Sequence, residues 1–146
     1  MVAVGEIAPK YHALTQDGAP FASDSLRGKR VVLYFYPKAD TPGCTIEAKG
    51  FRDELPQYRA KGVEIVGVST DDCPAQKAFA TKYGLSFPLL ADSKKEVATT
   101  FGVLRPTGTA RRVTFLIEKD GKVAEVIDSS SVDDHLNRAR ARFLTG

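Results

Sequence analysis

Residues 30–44 read Arg30-Val-Val-Leu-Tyr-Phe-Tyr-Pro-Lys-Ala-Asp-Thr-Pro-Gly-Cys44. The run to Tyr36 is apolar throughout after Arg30 and is bounded by Lys29 and Pro37, the pattern of a strand buried on both faces. Thr41-Pro42-Gly43 then opens a helix. Thr41 is a candidate cap, and proline suits the first helical position because the N–H it lacks would have no partner there. Phe51, Leu55 and Tyr58 follow at i, i+4 and i+7, an apolar stripe down that helix. Gly62 ends it, and Val63 to Val68 reads as a second buried strand. Two strands around one helix make a βαβ unit, which implies parallel pairing and a right-handed crossover.

Outward from this unit the signals are shorter. The first thirty residues are broken by Gly5, Pro9, Gly18, Pro20 and Gly28, so they read as short strands and turns. Asp71 or Asp72 caps a helix running to Lys82 or Tyr83, closed by Gly84. Phe87 to Leu90 is a short segment after that turn, and Asp92 to Phe101 reads as a short helix. Val113–Ile117 and Val123–Ile127 flank Asp120-Gly121, a hairpin signal. Asp133 to Phe143 reads as a closing helix. The order β-α-β-α-β-β-α implies an α/β sandwich with a mixed sheet. There is no repeat and no low-complexity linker, and 146 residues is the size of one domain. Residues 1–146 therefore read as a single domain.

Composition narrows the function classes. The 42% hydrophobic content suits one sizeable core, and 21 basic against 18 acidic residues leave a formal charge of +3. That bias is too weak to argue for nucleic acid, and no basic block interleaved with aromatics supports one. No apolar run approaches the roughly 20 residues of a membrane helix. Met1-Val-Ala-Val-Gly-Glu6 lacks the basic start and apolar stretch of a secretion signal, so the expected location is the cytoplasm. Two cysteines there are not expected to form a permanent staple, and without histidine neighbours they do not make a zinc site. No metal and no cofactor are expected.

Cys44 falls in the first turn of the helix after a buried strand. The first helical N–H groups have no partner within the helix, and the helix dipole is positive there. With Thr41 as cap, Cys44 holds the third helical position, where a thiolate can accept those N–H groups and is stabilised. The position also puts the sulfur at the carboxyl edge of the sheet, where α/β folds gather their ligands. A buried structural cysteine is the plainer alternative, because free cysteine is among the most buried residue types. The strand–turn–helix placement and the Pro-Gly that clears space before the sulfur argue against it.

Pro37-Lys-Ala-Asp-Thr41-Pro-Gly-Cys44 fits the Pro-x-x-x-Thr-x-x-Cys signature of the peroxiredoxins. The longer run Phe35-Tyr-Pro-Lys-Ala-Asp-Thr-Pro-Gly-Cys-Thr-Ile-Glu-Ala48, with Phe51-Arg-Asp53, resembles the peroxiredoxin Q subfamily, also called bacterioferritin comigratory protein. The resemblance continues through Val68-Ser-Thr-Asp71, Phe79-Ala-Thr-Lys-Tyr-Gly84, Phe87-Pro-Leu-Leu-Ala-Asp92 and Arg112-Val-Thr-Phe-Leu-Ile117, nearly the whole chain. It implies a thioredoxin-like fold, with a central mixed sheet flanked by helices and an N-terminal strand extension. It also implies an antioxidant, thiol-dependent peroxidase acting on hydrogen peroxide and organic hydroperoxides.

The resemblance assigns roles by position. Cys44 would attack the peroxide and become a sulfenic acid. Thr41 would hold the peroxide through its hydroxyl, and Pro37 would shield the sulfenic acid. Arg112 would favour the thiolate and polarise the peroxide bond, with Glu47 orienting it. The N–H groups of Gly43 and Cys44 would bind a peroxide oxygen. Chemistry agrees, since O–O cleavage places negative charge on a leaving oxygen and a guanidinium stays charged with a rigid fork of donors. Glu47 alone would oppose a thiolate one turn away unless a cation lay between them. Strand alternation cannot choose between Arg111 and Arg112; the family's Arg-x-Thr-Phe pattern selects Arg112.

The chain departs from the family in how the sulfur is reset. Many members carry a second cysteine five residues after the first, where this chain has Lys49. Another known place corresponds to Ala80. Cys73, in Asp71-Asp-Cys-Pro74, is the remaining candidate, and it should emerge at the same sheet edge as Cys44. Either Cys73 resolves the sulfenic acid through a disulfide, or an external thiol such as thioredoxin does. The resemblance further implies a monomer. Competing classes are weaker. A thioredoxin-like reductase needs Cys-x-x-Cys, which is absent. A Cys-His hydrolase needs an imidazole beside Cys44, and neither His12 nor His135 is placed to serve. A redox sensor or holdase switched by Cys44 is the remaining alternative.

Overall fold

Alternation along one central strand sorts the whole core. In the computed structural model, which describes residues 1–145, β3 (Arg30–Phe35) is that strand. Val32, Tyr34 and the following Tyr36 point to one face of the sheet. There they pack with Phe51, Leu55 and Tyr58 of α1 (Pro42–Ala60), Phe79 of α2 (Cys73–Tyr83) and Ala139 and Phe143 of α4 (Val132–Phe143). Val31, Leu33 and Phe35 point to the other face, against Val97, Ala98 and Phe101 of α3 (Glu96–Phe101) and the N-terminal Val2 and Tyr11. A strand covered on both sides must be apolar where it is buried, and this one is from Val31 to Phe35.

The remaining strands are β1 (His12–Thr15), β2 (Pro20–Ala22), β4 (Val63–Ser69), β5 (Leu89–Ala91), β6 (Val113–Ile117) and β7 (Val123–Asp128). The sheet order is β2-β1-β5-β4-β3-β6-β7. β3 is parallel to β4, with Phe35 opposite Val68, and antiparallel to β6, with Phe35 opposite Val113. The expected βαβ unit, the hairpin and the mixed sheet are all present. The fold is thioredoxin-like with an N-terminal strand extension, as expected.

Two local readings need correction. The segment around Leu90 is a strand, β5, parallel to β4 and also paired with β1, so it joins the N-terminal hairpin to the sheet. Three residues are too few to show a period. The helix expected from Asp92 begins only at Glu96. The Asp92 carboxylate still caps it from a distance, accepting the N–H groups of Val97 and Ala98 at 3.1 and 2.8 Å. Of the two candidate caps for α2, Asp72 does the work, accepting the N–H of Ala75 at 2.9 Å.

Gly67 on β4 lies across from Tyr34 on one side and Leu89 on the other. A Cβ there would sit 2.9 Å from Leu89 and 3.0 Å from the Tyr34 ring, both fully buried. Overpacking a site whose neighbours cannot move costs about 1–3 kcal/mol. Gly67→Ala should lower the unfolding free energy by that amount, read as a lower urea midpoint at unchanged slope; an unchanged midpoint would show that Tyr34 can repack.

Candidate active site

The carboxyl ends of β3 and β4 bring two loops together. Pro37 to Thr41 leads from β3 into α1, and Thr70 to Asp72 leads from β4 into α2. The Asp71 carboxylate joins them, accepting the N–H of Ala39 at 2.8 Å and the hydroxyl of Ser69 at 2.6 Å. Asp40 holds a left-handed backbone (φ 59°) that asparagine and aspartate tolerate better than most residues. Its carboxylate accepts from Lys82 and Tyr83, which fixes the loop to α2.

Thr41 stands at the N-cap of α1, but its side chain does not cap the helix. The hydroxyl instead donates to the carbonyl of Lys38 at 2.7 Å. Its oxygen keeps its acceptor capacity, and no Thr41 cap occupies the first-turn N–H groups. Cys44 follows in that first turn, 1% exposed.

Arg112 reaches it from the residue just before β6. The antiparallel register sets Val113 opposite Phe35, which brings Arg112 to the same end of the sheet as Pro37. Its guanidinium divides two ways. Nη2 donates to Cys44 Sγ at 3.4 Å, and Nη1 donates to Glu47 Oε1 at 2.6 Å. A cation thus lies between the sulfur and the carboxylate, as the sequence demanded. Gly43 makes room for it: a Cβ there would come within 3.1 Å of Nη2. Arg111, the alternative, turns away to pair with Asp128 at 2.5 Å.

Burial sets the electrostatics. Glu47 is fully buried, and this pushes its carboxyl up to about 7 against the pull of Arg112's charge and hydrogen bond. Burial also works against the guanidinium, but the charges of Glu47 and Cys44 and the hydrogen bonds to both outweigh it and raise the Arg112 pKa. An open cleft of about 390 Å³ reaches this point, lined by Pro37, Arg112, Arg105, Arg111, Ser129 and Ser130 with Asp128. A smaller cavity of about 220 Å³, lined by Ile7, Tyr11, Leu26 and Ile117, lies at the opposite end of β3 and has no cysteine in its lining.

Residues 4–126 match the AhpC/TSA family. The chain belongs to that family. It is 39% identical to peroxiredoxin Bcp of Escherichia coli (strain K12) over 138 residues, 90% of this chain and 88% of that protein. It is 40% identical to the chloroplastic peroxiredoxin Q of Triticum aestivum over 130 residues, 88% of this chain and 60% of that one. The crystal structure of peroxidoxin BcpB from Mycobacterium tuberculosis superposes with a TM-score of 0.90 at 38% identity, covering 96% of this chain and 95% of that one. This AhpC/TSA member is a thiol-dependent peroxidase.

Cys73, the second cysteine, is half-buried at the first position of α2 and is a free thiol, as Cys44 is. Both follow neighbouring parallel strands and emerge at one edge, as expected. Lys49 points outward with its ammonium 5.9 Å from the Tyr83 ring, and Ala80 is in the core.

Sequence reasoning set His135 aside as remote. No imidazole touches Cys44, but His135 is fully buried with Nδ1 3.8 Å from Glu47 Oε2. The missed signal was spacing: His135, Ala139 and Phe143 stand at i, i+4 and i+8 and form the buried stripe of α4.

Proposed function

We propose that Cys44 is the nucleophile of this peroxidase and that residues 1–146 work as one domain around it. The observation that carries the reading is the fork of Arg112 between Cys44 Sγ and Glu47 Oε1. The thiolate attacks the terminal, proton-bearing oxygen of a hydroperoxide. An S–O bond forms, the O–O bond breaks, and the electron pair leaves on the alkoxide or hydroxide, which takes a proton from solvent. Cys44 becomes a sulfenic acid, and an alcohol or water departs. Arg112 and the N–H groups of Gly43 and Cys44 stabilise the charge on the reacting oxygens. The Thr41 hydroxyl already donates its hydrogen bond to the Lys38 carbonyl, so its oxygen accepts the hydroperoxide's O–H. Pro37, on the wall of the cleft, shields the sulfenic acid.

Resetting falls to Cys73. Its thiolate attacks the sulfenic sulfur, a disulfide forms and hydroxide leaves as water. Support comes from the shared sheet edge and from the Asp71 bridge between the two loops. Both cysteines occupy first helical turns, which open at little cost. A cytoplasmic dithiol protein such as thioredoxin then reduces the disulfide, and the enzyme acts as a monomer. The redox-sensor or holdase alternative is less favoured, because a switch needs no arginine preorganised on the sulfur.

The test oxidises the full chain with one equivalent of peroxide and maps its peptides by mass spectrometry without reductant. The expected product is a Cys44–Cys73 disulfide. Cys73→Ser should instead accumulate Cys44 sulfenic acid and lose roughly tenfold or more of its thioredoxin-coupled turnover. A sulfenic acid in the wild type beside a free Cys73 would assign resetting to an external thiol, and no oxidation of Cys44 would overturn the whole reading.

A further inference from the structure

Behind Arg112 lies a buried polar group that the peroxidase chemistry above does not use. Glu47 gives one oxygen to Arg112, but its other oxygen, Oε2, is buried with no hydrogen-bond partner among the described residues. An orphaned carboxylate oxygen is costly, and native structures rarely leave one without a reason. The group that faces it is His135 Nδ1, 3.8 Å away.

Hydrogen bonding fixes the state of that imidazole. Nε2 lies 2.8 Å from the carbonyl oxygen of Ser129, which can only accept, so Nε2 carries a proton. Nδ1 lies 2.7 Å from the hydroxyl of Thr114 on β6, two residues beyond Arg112. In the neutral ring Nδ1 is a lone pair that accepts from Thr114. Thr114 then takes the Nδ1 lone pair, and Glu47 Oε2, 3.8 Å from that nitrogen, faces a neutral ring that offers it no hydrogen in a dry site. That arrangement is stable only with a proton held by one of them.

We propose that His135 is a positioning residue that acts on Cys44 through Glu47: the two side chains hold one proton between them, and that proton decides how much of the Arg112 charge is free to act on the sulfur. With the proton in place, Glu47 and His135 together leave the guanidinium uncompensated, and its positive charge favours the thiolate. Without it, the Glu47 carboxylate neutralises Arg112, and less of the charge reaches Cys44. The proposal rests on the reading of Cys44, Arg112 and Glu47 given above.

The other groups around His135 are already committed. On α4, Asp134 accepts from Ser129 Oγ at 2.6 Å, and Arg138 pairs with Glu125 at 2.7 Å. On the β6 side stand Thr114 and Arg112, and on α1 Cys44 and Glu47. From β3, Tyr34 shares the buried core with Cys44, and its hydroxyl lacks a partner among the described residues. Burial, helped by the charges of Arg112 and Arg138, lowers the His135 pKa against the Ser129 hydrogen bond and Asp134, while burial raises that of Glu47. Both shifts disfavour a charged pair and favour the proton on Glu47 beside a neutral imidazole.

The test is the pH profile of peroxide reduction under single turnover, read beside thiolate absorbance, for wild type and His135→Asn. Asparagine keeps an N–H that can donate to Glu47 Oε2 but cannot take up a proton. It therefore favours the carboxylate and ties up Arg112. The profile midpoint should move to higher pH by about half a unit to one unit, slowing the reaction several-fold on its acid side and converging with wild type at alkaline pH. A purely structural role would slow the reaction equally at every pH, and an unchanged midpoint would overturn the proposal. If the variant does not fold, nitrogen NMR of the two wild-type histidines decides, with exposed His12 as the reference signal. The His135 titration should move in Glu47→Gln, and a His135 curve indifferent to that substitution would sink the inference. Wild-type protein that consumes no peroxide would instead remove the underlying reading.

Discussion

Replacing Cys44 by serine is expected to end thiol-dependent peroxide consumption. Serine is nearly isosteric, so Cys44→Ser should fold normally and keep the Arg112–Glu47 contact at 2.6 Å. The difference is chemical. A hydroxyl in the first turn of α1 is not ionised by the field that favours a thiolate, and it is a poor nucleophile toward the O–O bond. Removing a nucleophile from a preorganised site costs roughly 10³-fold or more in turnover. The assay follows peroxide loss with excess dithiol, wild type beside variant. Equal rates would show that the consumption belongs to Cys73 or to contaminating metal, and would defeat the assignment of Cys44.

Arg112→Ala carries the second largest effect, and it acts on two quantities. Loss of one preorganised donor to the reacting oxygens costs roughly 10²–10³-fold in rate. The same change strands Glu47, whose carboxylate is fully buried and takes its only hydrogen bond in the described structure from Arg112. Breaking a buried pair by removing one partner costs about 3–5 kcal/mol when the remaining charge stays ionised. The pH dependence follows from the sign of the Glu47 shift. Its folded carboxyl is raised to about 7, so the native state binds the extra proton more tightly than the unfolded chain. That stability is present in full below the ordinary carboxylate value and is lost as pH rises through about 7. Without Arg112 the carboxyl rises further. The variant should therefore approach wild-type stability in acid and fall away from it between neutral and alkaline pH. Thermal unfolding across that range checks this. Arg112→Lys separates the effects: a lysine restores a charge but not the fork, so stability should recover more than rate.

The strand from Arg30 to Tyr36 and the helix after it were legible because both period and chemistry were local. A strand buried on two faces is apolar at every step, and a helix start is marked by Pro42 and Gly43. Legibility failed where partners are distant. β5 is three residues long and becomes a strand only because β1 and β4 flank it. Thr41 has the right type for a cap, yet the loop turns its hydroxyl to Lys38. Gly67 is a glycine only because Tyr34 and Leu89 converge over it.

The site divides along the same line. By itself the sequence singled out Cys44 as the proposed nucleophile, since helix position and residue type are properties of a short run. It determined the need for a cation near Glu47, because two negative groups one turn apart require one. Strand alternation left Arg111 and Arg112 open, the family pattern selected Arg112, and the tertiary structure supplies the physical reason. The pairing of β6 with β3 turns Arg112 inward and sends Arg111 to Asp128. The place of His135 was decided by tertiary structure. It stands 88 residues beyond Glu47, and only the packing of α4 on α1 closes that distance to 3.8 Å. Electrostatics in a dry interior depends on which charges are buried together, and that is settled by the packing of elements far apart in the chain.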